Sequence, residues 1–470
     1  MTSSKNAVFI PEIFPFPLSP EWVLFENINP DDASWSSWKK IPAKLGKSAG
    51  KNVTFEAGGY HIKREKYILR ESALFAQEFS VPSDGIVFMG FAADFYFQAR
   101  INGEVVADTL AEGNPERFPY TPGDVFVPVP VKKGKNLMTI LLQGGSGDLV
   151  LAIGEPRIPY NYYISLAGEL EKTSWKEPFS PCRMKIQHAI RKGVEGIRLP
   201  HFESYDAQPH LPEYPLKEHF DKAPILIPYE NAMDKLLREV PRERVTGKNV
   251  VIWHLYNMGY IVKTANCCFG IDLHHRRAEF LEPYLDFVLV THNHSDHRNV
   301  ELLRKMRLSG KKVFSNFYPA PGYGRGPAKA EIGDVTIYME ETDHNMTLQK
   351  FVMPFLIKCG KGKDALTVYH TGDSCNADAL SPALDVDIFI LHPRVGMRVM
   401  DAVKKIRPKW TFFSHLMEMG HTQPSIWRPV NFKELLPEMR AIRDMGLSST
   451  IPLWGEKILW TPAERKGKKA

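Results

Sequence analysis

The chain predicts an all-β sandwich followed by an α/β body, and three observations carry that expectation. Between Ala73 and Gly154 the segments FAQEFSV, GIVFMGF, FYFQARI, VFVPVPV, NLMTILL and DLVLAI are short, roughly alternating and separated by turn residues, as antiparallel strands are. From Asn249 onward, apolar runs alternate with helical periodicity in the manner of βαβ units. The length of 470 residues also exceeds what one hydrophobic core usually organises.

The front domain is expected over residues 1–155. Its strongest local signal is Asn102-Gly103 between FQARI and EVVA, because both residues tolerate the positive φ of a two-residue hairpin. Residues 156–244 carry Pro200, Pro209, Pro212, Pro215, Pro224 and Pro228 and read as a connector. One helix is expected in it, Glu230 to Arg238, ended by Pro241.

Residues 245–470 form the α/β body. VVIWHLY, GYIVKTA and FGIDLH open it as strands, and Arg276 to Tyr284 is helical. DFVLV is a buried strand, and Asn299 to Arg307 follows as a helix closed by Gly310. KKVFSN and DVTIYME are strands, and FVMPFLIK and LTVYHTGD form a hairpin. DVDIFILH, the helix VMDAVKKI and the strand KWTFFSH make a second pass, and a helix from Phe432 to Arg443 caps it.

Directly behind DFVLV lies Thr291 to Arg298, THNHSDHR. His292, His294, Asp296 and His297 therefore emerge at the carboxyl end of a buried strand, where open α/β sheets place their chemistry. Imidazoles and a carboxylate so closely spaced suit zinc or a similar divalent ion. The pattern His-x-His-x-Asp-His resembles the metallo-β-lactamase superfamily, whose fold is an αββα sandwich. The resemblance implies further ligands at later strand ends: His344 in EETDHNMT, Asp373 in YHTGDS and His415 in FFSHLMEMG. It assigns His292, His294 and His344 to one metal and Asp296, His297 and His415 to a second, with Asp373 between them. Asp272 and His370 are expected behind the ligands, orienting them. His392, Arg394 and His421 lie beside ligand loops and are candidate substrate contacts, His392 first among them. His254, His274 and His275 read as structural or exposed.

The implied cofactor is one or two divalent ions, zinc first and manganese or iron as alternatives. The implied reaction is hydrolysis by a metal-bound hydroxide, with Asp296 or Asp373 accepting or relaying the proton. The oxygen-reducing diiron branch usually has a glutamate where this chain has His294. The passage DAVKKIRPKWTFFSH resembles the branch of ascorbate-6-phosphate lactonase and N-acyl-phosphatidylethanolamine phospholipase D. In the front domain, WSSWKKIP, the INGE hairpin, FPYTPGDVFVPV and KKGKNLMTILL resemble the jelly-roll sugar-binding domain of β-galactosidase-type glycosidases. A lactone or phosphoester of a sugar derivative would suit both resemblances. The alternative is a carbohydrate-binding or scaffold protein whose hydrolase domain is secondary or silent.

Composition bounds the partners. The net charge of +6 comes from 60 basic and 54 acidic residues dispersed along the chain, with one basic run at the tail, so a small molecule is expected rather than nucleic acid. A homo-oligomer is compatible with the sequence. No apolar run approaches a membrane span, and the amino terminus lacks the layout of a signal peptide, which leads to an expectation of a cytoplasmic protein. Cys182, Cys267, Cys268, Cys359 and Cys375 show no disulfide or zinc-ribbon spacing, and Cys375 is expected to be a small buried thiol.

Overall fold

The structure is a computed structural model that describes residues 10–26, 51–55, 60–62, 72–94, 96–114, 122–143, 149–207, 216–419 and 432–462. His421, the tail and the WSSWKKIP segment lie outside the described residues. Two compact units form, Phe9–Tyr162 and Tyr163–Ala470.

In the first unit the strands are β1 (Glu12–Phe14), β2 (Glu21–Glu26), β3 (Lys51–Thr54), β4 (Tyr60–Ile62), β5 (Ser72–Val81), β6 (Gly85–Ala93), β7 (Tyr96–Ile101), β8 (Glu104–Asp108), β9 (Val125–Val131), β10 (Gly134–Gln143) and β11 (Leu149–Gly154). They make a five-stranded sheet around β6 and a six-stranded sheet in the order β3-β2-β5-β10-β7-β8. Inward side chains of both sheets, among them Phe75, Met89, Phe91, Phe97 and Ile140, share one core. Asn102 and Gly103 turn β7 into β8 with φ of 51° and 91°, and the Asn102 side chain accepts the Leu137 amide at 2.9 Å, tying the hairpin to β10. Pro128 and Pro130 are tolerated in β9 because it pairs only with β6.

Helices follow, the first of them running across the division at Tyr162. Where the sequence suggested a connector with one helix, α1 (Tyr160–Glu171), α2 (Pro181–Gly196), α3 (Leu199–Asp206), α4 (Leu216–Lys222) and α5 (Leu226–Glu239) form. Pro181 and Pro200 sit in the first turns of α2 and α3, where a missing N–H costs nothing. Arg183 on α2 is fully buried and forms a bidentate pair with Glu456, at 2.6 and 2.8 Å.

Two mixed sheets follow. The first contains β12 (Val250–His254), β13 (Tyr260–Lys263), β14 (Cys268–Ile271), β15 (Phe287–Leu289), β16 (Lys312–Phe314) and, from the carboxyl end, β24 (Lys457–Trp460). The second runs in chain order through β17 (Ala328–Ile332), β18 (Val335–Met339), β19 (Phe355–Cys359), β20 (Leu366–His370), β21 (Ile388–Leu391), β22 (Trp410–Phe413) and β23 (Ser448–Thr450). Each sheet is antiparallel through its early strands and parallel through those that follow, except that β24 returns to pair antiparallel with β12. Their facing sides share a second core that includes Ile252, Phe269, Phe287, Ile337, Phe355, Val368 and Phe412. Crossovers between parallel strands use α6 (Val300–Leu308), α7 (Val399–Ile406) and α8 (Leu436–Asp444). Asn299 caps α6 by accepting the Leu302 amide at 2.7 Å. The stretch Ala278–Tyr284 is a 3₁₀ helix holding Pro283. The five cysteines are free, and Cys375 is half-buried rather than buried.

Candidate metal centre

The carboxyl ends of β14, β15, β20, β21 and β22 deliver Asp272, His292, Asp373, His392 and His415 respectively, and His344 lies in the loop after β18. Buried strands ending at one edge explain why residues 143 positions apart in the chain, Asp272 and His415, serve one site. Among the described residues, three groups of side chains bring ligand atoms within 4.8 Å of one another: His292, His294, His344 and Asp373; Asp296, His297 and His415; and Asp373, His392 and His415.

Asp373 stands at the middle. Its Oδ2 lies 3.9 Å from His292 Nε2, 3.5 Å from His344 Nε2 and 3.6 Å from His415 Nε2, and its Oδ1 lies 3.4 Å from His297 Nε2. Asp296 Oδ2 is 3.0 Å from His415 Nε2 and 3.4 Å from His297 Nε2. His294 turns Nδ1 toward His292 Nε2, at 3.0 Å. Phe351 packs against His292, His294 and His344, with ring centroids 5.6, 5.1 and 6.2 Å away.

Carboxylates behind the ring fix the imidazole orientations. Asp272 is fully buried; its Oδ2 accepts the Nδ1 proton of His297 at 2.9 Å, and it also accepts the Thr291 amide and hydroxyl, each at 2.7 Å. Glu418 does the same for His415, with Oε2 3.0 Å from Nδ1. In both rings this turns Nε2 toward Asp296 and Asp373, where its lone pair would meet a bound cation. Asn257 donates to Asp296 Oδ2 at 3.1 Å. Asn257, Asp272, His415 and Met417 have φ between 44° and 58°. Backbone strain gathered this way persists where surrounding structure enforces it, characteristically at functional sites. Gly372 needs its φ of 52° to turn Asp373 inward, and a Cβ there would lie 2.6 Å from Thr291.

The charges are coupled. Burial opposes ionisation of Asp373 and Asp296, yet His415 and His297 beside the first and His297 beside the second hold both carboxyls well below their ordinary range. Burial also opposes protonation of His297 and His415, and the carboxylates, Asp373 foremost, raise both well above the ordinary imidazole value. His292 goes the other way, pushed down by burial and by His297. Without an ion, protons on His297 and His415 thus balance the acids, and a bound divalent cation would replace them. Asp373 Oδ1 is buried and accepts no well-formed hydrogen bond among the described residues, its contact with His297 Nε2 being 3.4 Å long, so a cation bound there would be a better partner. Nitrogen and carboxylate oxygen donors of this kind fit zinc, manganese or iron.

Most of the site residues expected from the sequence meet here; Arg394 is held apart from them. Its guanidinium is committed to Pro393 O (3.1 Å), Glu434 O (2.6 Å) and Glu438 (2.8 Å), so it anchors α8 rather than meeting a substrate. His370 is buried with both ring nitrogens used, Nε2 donating to Met258 O at 3.0 Å and Nδ1 accepting the Gly372 amide at 3.2 Å. It steadies the loop that carries Asp373. His254 is a buried structural residue bound to Asn257 O, and His275 stacks on Tyr229. Glu418, Asn257 and Phe351 were not anticipated, although a carboxylate three positions after His415 was a usable signal.

No family model matches the chain, and no curated protein does. Solved structures do. Several that resemble part of this chain are metal-dependent hydrolases or proteins of the metallo-β-lactamase fold. Igni18, a metallo hydrolase from Ignicoccus hospitalis, is 20% identical, with 45% of this chain and 99% of that one covered and a TM-score of 0.35. The metallo-β-lactamase fold protein YhfI from Bacillus subtilis is 14% identical over 46% and 100%, with a TM-score of 0.35. A β-glucosidase from Kluyveromyces marxianus is 11% identical over 32% and 18%, with a TM-score of 0.21.

Proposed function

We propose that this chain is a metal-dependent hydrolase acting on a lactone or a phosphoester. In this reading His292, His294, His344 and Asp373 hold one divalent ion, and Asp296, His297 and His415 hold a second with Asp373 shared. The observation that carries it is the convergence of these side chains from separate strand ends, with an orphaned carboxylate oxygen at their centre. A divalent ion supplies Lewis acidity and an activated water at neutral pH. The chain's own groups do the rest. Asp296 and Asp373 stay ionised, so either can accept a proton. Asp272 and Glu418 keep His297 and His415 in the tautomer that offers Nε2. Phe351 walls the histidine side with apolar surface.

The loops bearing His344 and Asp373 also line a cavity of about 460 Å³, with Asp343, Asn345, Gln349, Cys375, Asn376 and Arg398 among its walls. Hydrogen-bonding side chains of both kinds suit a hydroxyl-rich substrate, which supports a sugar derivative. Residues 1–155 then serve as a carbohydrate-binding-like accessory sandwich. The test is metal analysis of protein reconstituted in turn with zinc, manganese and iron(II). A screen of bis(p-nitrophenyl) phosphate and sugar lactones follows, with His292→Ala as control. Metal-dependent turnover lost in the variant is expected; a wild type that retains no divalent ion overturns the proposal.

A further inference from the structure

His392 ends β21 among the candidate ligands, yet its local bonding differs from theirs. Its Nδ1 accepts the backbone N–H of Arg394 at 3.1 Å. A ring nitrogen that accepts a hydrogen bond carries no proton, so this imidazole is neutral with its hydrogen on Nε2. Two other histidines have the same contact with the amide two residues on, His275 with Arg277 (3.1 Å) and His370 with Gly372 (3.2 Å). In His370 the resulting Nε2–H donates to Met258 O. In His392 the Nε2–H has no hydrogen-bond partner among the described residues. The His392 ring lies nearly parallel on His415, centroids 4.1 Å apart and planes 16° apart, and one of its nitrogens is within 4.8 Å of both Asp373 and His415 donor atoms.

The contrast with His297 and His415 is one of polarity. Their Nδ1 protons go to carboxylates, which leaves Nε2 able to give up its proton to a bound cation; a backbone amide at Nδ1 leaves His392 with a fixed hydrogen on Nε2 instead. The amide cannot readily turn away, because the Arg394 side chain is fastened to Pro393 O, Glu434 O and Glu438.

Building on the hydrolase reading above, we propose that His392 is not a metal ligand but a fixed hydrogen-bond donor of the centre. Its Nε2–H meets the substrate oxygen that gains negative charge during hydrolysis, a lactone carbonyl or a phosphoryl oxygen. A neutral imidazole suits this role, since its N–H is oriented before the charge develops. Arg394 is then a positioning residue, acting through the tautomer of His392.

The test uses the full chain and two readouts. Long-range proton–nitrogen spectra of the ¹⁵N-histidine protein, with His392 assigned through His392→Gln, report the tautomer with and without zinc. Nε2–H in both states is expected; Nδ1–H, or an Nε2 that coordinates zinc, overturns the proposal. Inorganic phosphate then serves as the probe of zinc-loaded protein. His392→Leu is expected to keep the wild-type zinc content and weaken phosphate binding about tenfold or more, the size of one hydrogen bond to a charged group. His392→Gln, which keeps an N–H near the Nε2 position, is expected to recover part of that loss. Phosphate affinity unchanged in His392→Leu, or zinc lost from it, overturns the proposal. A wild type that retains none of zinc, manganese or iron(II) strikes the hydrolase reading itself, an outcome distinct from either.

Discussion

Asp272→Asn isolates the orienting hydrogen bond from packing. The carboxylate accepts three hydrogen bonds at full burial, from the Thr291 amide, the Thr291 hydroxyl and His297 Nδ1. Asparagine fits the space and tolerates the φ of 44°, so the backbone is not strained further. Its Oδ1 can still take the Thr291 amide, which turns Nδ2 toward His297 Nδ1–H and sets donor against donor. His297 escapes by moving its proton to Nε2, the atom that faces Asp296, Asp373 and His415. The proton then blocks the lone pair needed for a metal. Partners of this kind are worth roughly 10- to 100-fold in metal affinity, or about 1.4 to 2.8 kcal/mol. Losing the charge-assisted bond also costs the fold roughly 1.5 to 3 kcal/mol. Competition against a chromophoric chelator measures the first effect, and urea unfolding of the metal-free protein measures the second. Wild-type zinc affinity in a folded Asp272→Asn would refute the reasoning. Asp272→Ala should be worse in stability by roughly 1 to 2 kcal/mol more, because alanine resists a left-handed backbone.

Two further predictions concern the loop and the helical region. Gly372→Ala would place a methyl 2.6 Å from the buried Thr291 and must displace Asp373, so weaker metal binding and a lower thermal midpoint are expected; zinc affinity and midpoint equal to wild type would contradict the geometry. Acid should destabilise the fold through His275 and Glu230, which lie 3.9 Å apart. Burial pushes His275 down to about 4, so the unfolded chain takes its proton first and stability falls between pH 6.5 and 4, by about 3 kcal/mol in all. Burial alone would raise the Glu230 carboxyl, but His275 when charged and the Arg276 guanidinium bring it down to about 2, so its contribution, complete above pH 4.5, is lost as pH falls toward 2. Urea unfolding from pH 7 to pH 2 reads both effects; stability level from pH 7 to pH 4 would refute the first, and no further loss between pH 4.5 and pH 2 the second.

Parts of this molecule were legible because short-range rules fixed them. The strand DFVLV and the histidine cluster behind it follow from apolar patterning and residue chemistry alone, and Asn102-Gly103 forms the expected turn. His344, Asp373 and His415 were reached only through family resemblance, since nothing local separates them from His370 or His392. What distinguishes those histidines is the second ring nitrogen: a carboxylate on His415, a backbone amide on His392. That difference is tertiary and invisible in a linear reading. The anchoring of Arg394 is equally hidden, its acidic partner Glu438 lying 44 residues further on. The helix expected from Glu230 to Arg238 forms as Leu226–Glu239, but the helices before it were missed because prolines were read as breakers, whereas Pro200 occupies a first turn, where it favours a helix.

The most direct measurement is anomalous diffraction at the metal's absorption edge from crystals of zinc-reconstituted protein. An ion is expected in the cavity around Asp373, about 2.0 to 2.1 Å from nitrogens of His292, His294 and His344 or of His297 and His415, with His392 outside bonding distance. Reconstituted crystals with no anomalous peak in that cavity, or with the only peak elsewhere on the molecule, would contradict the account.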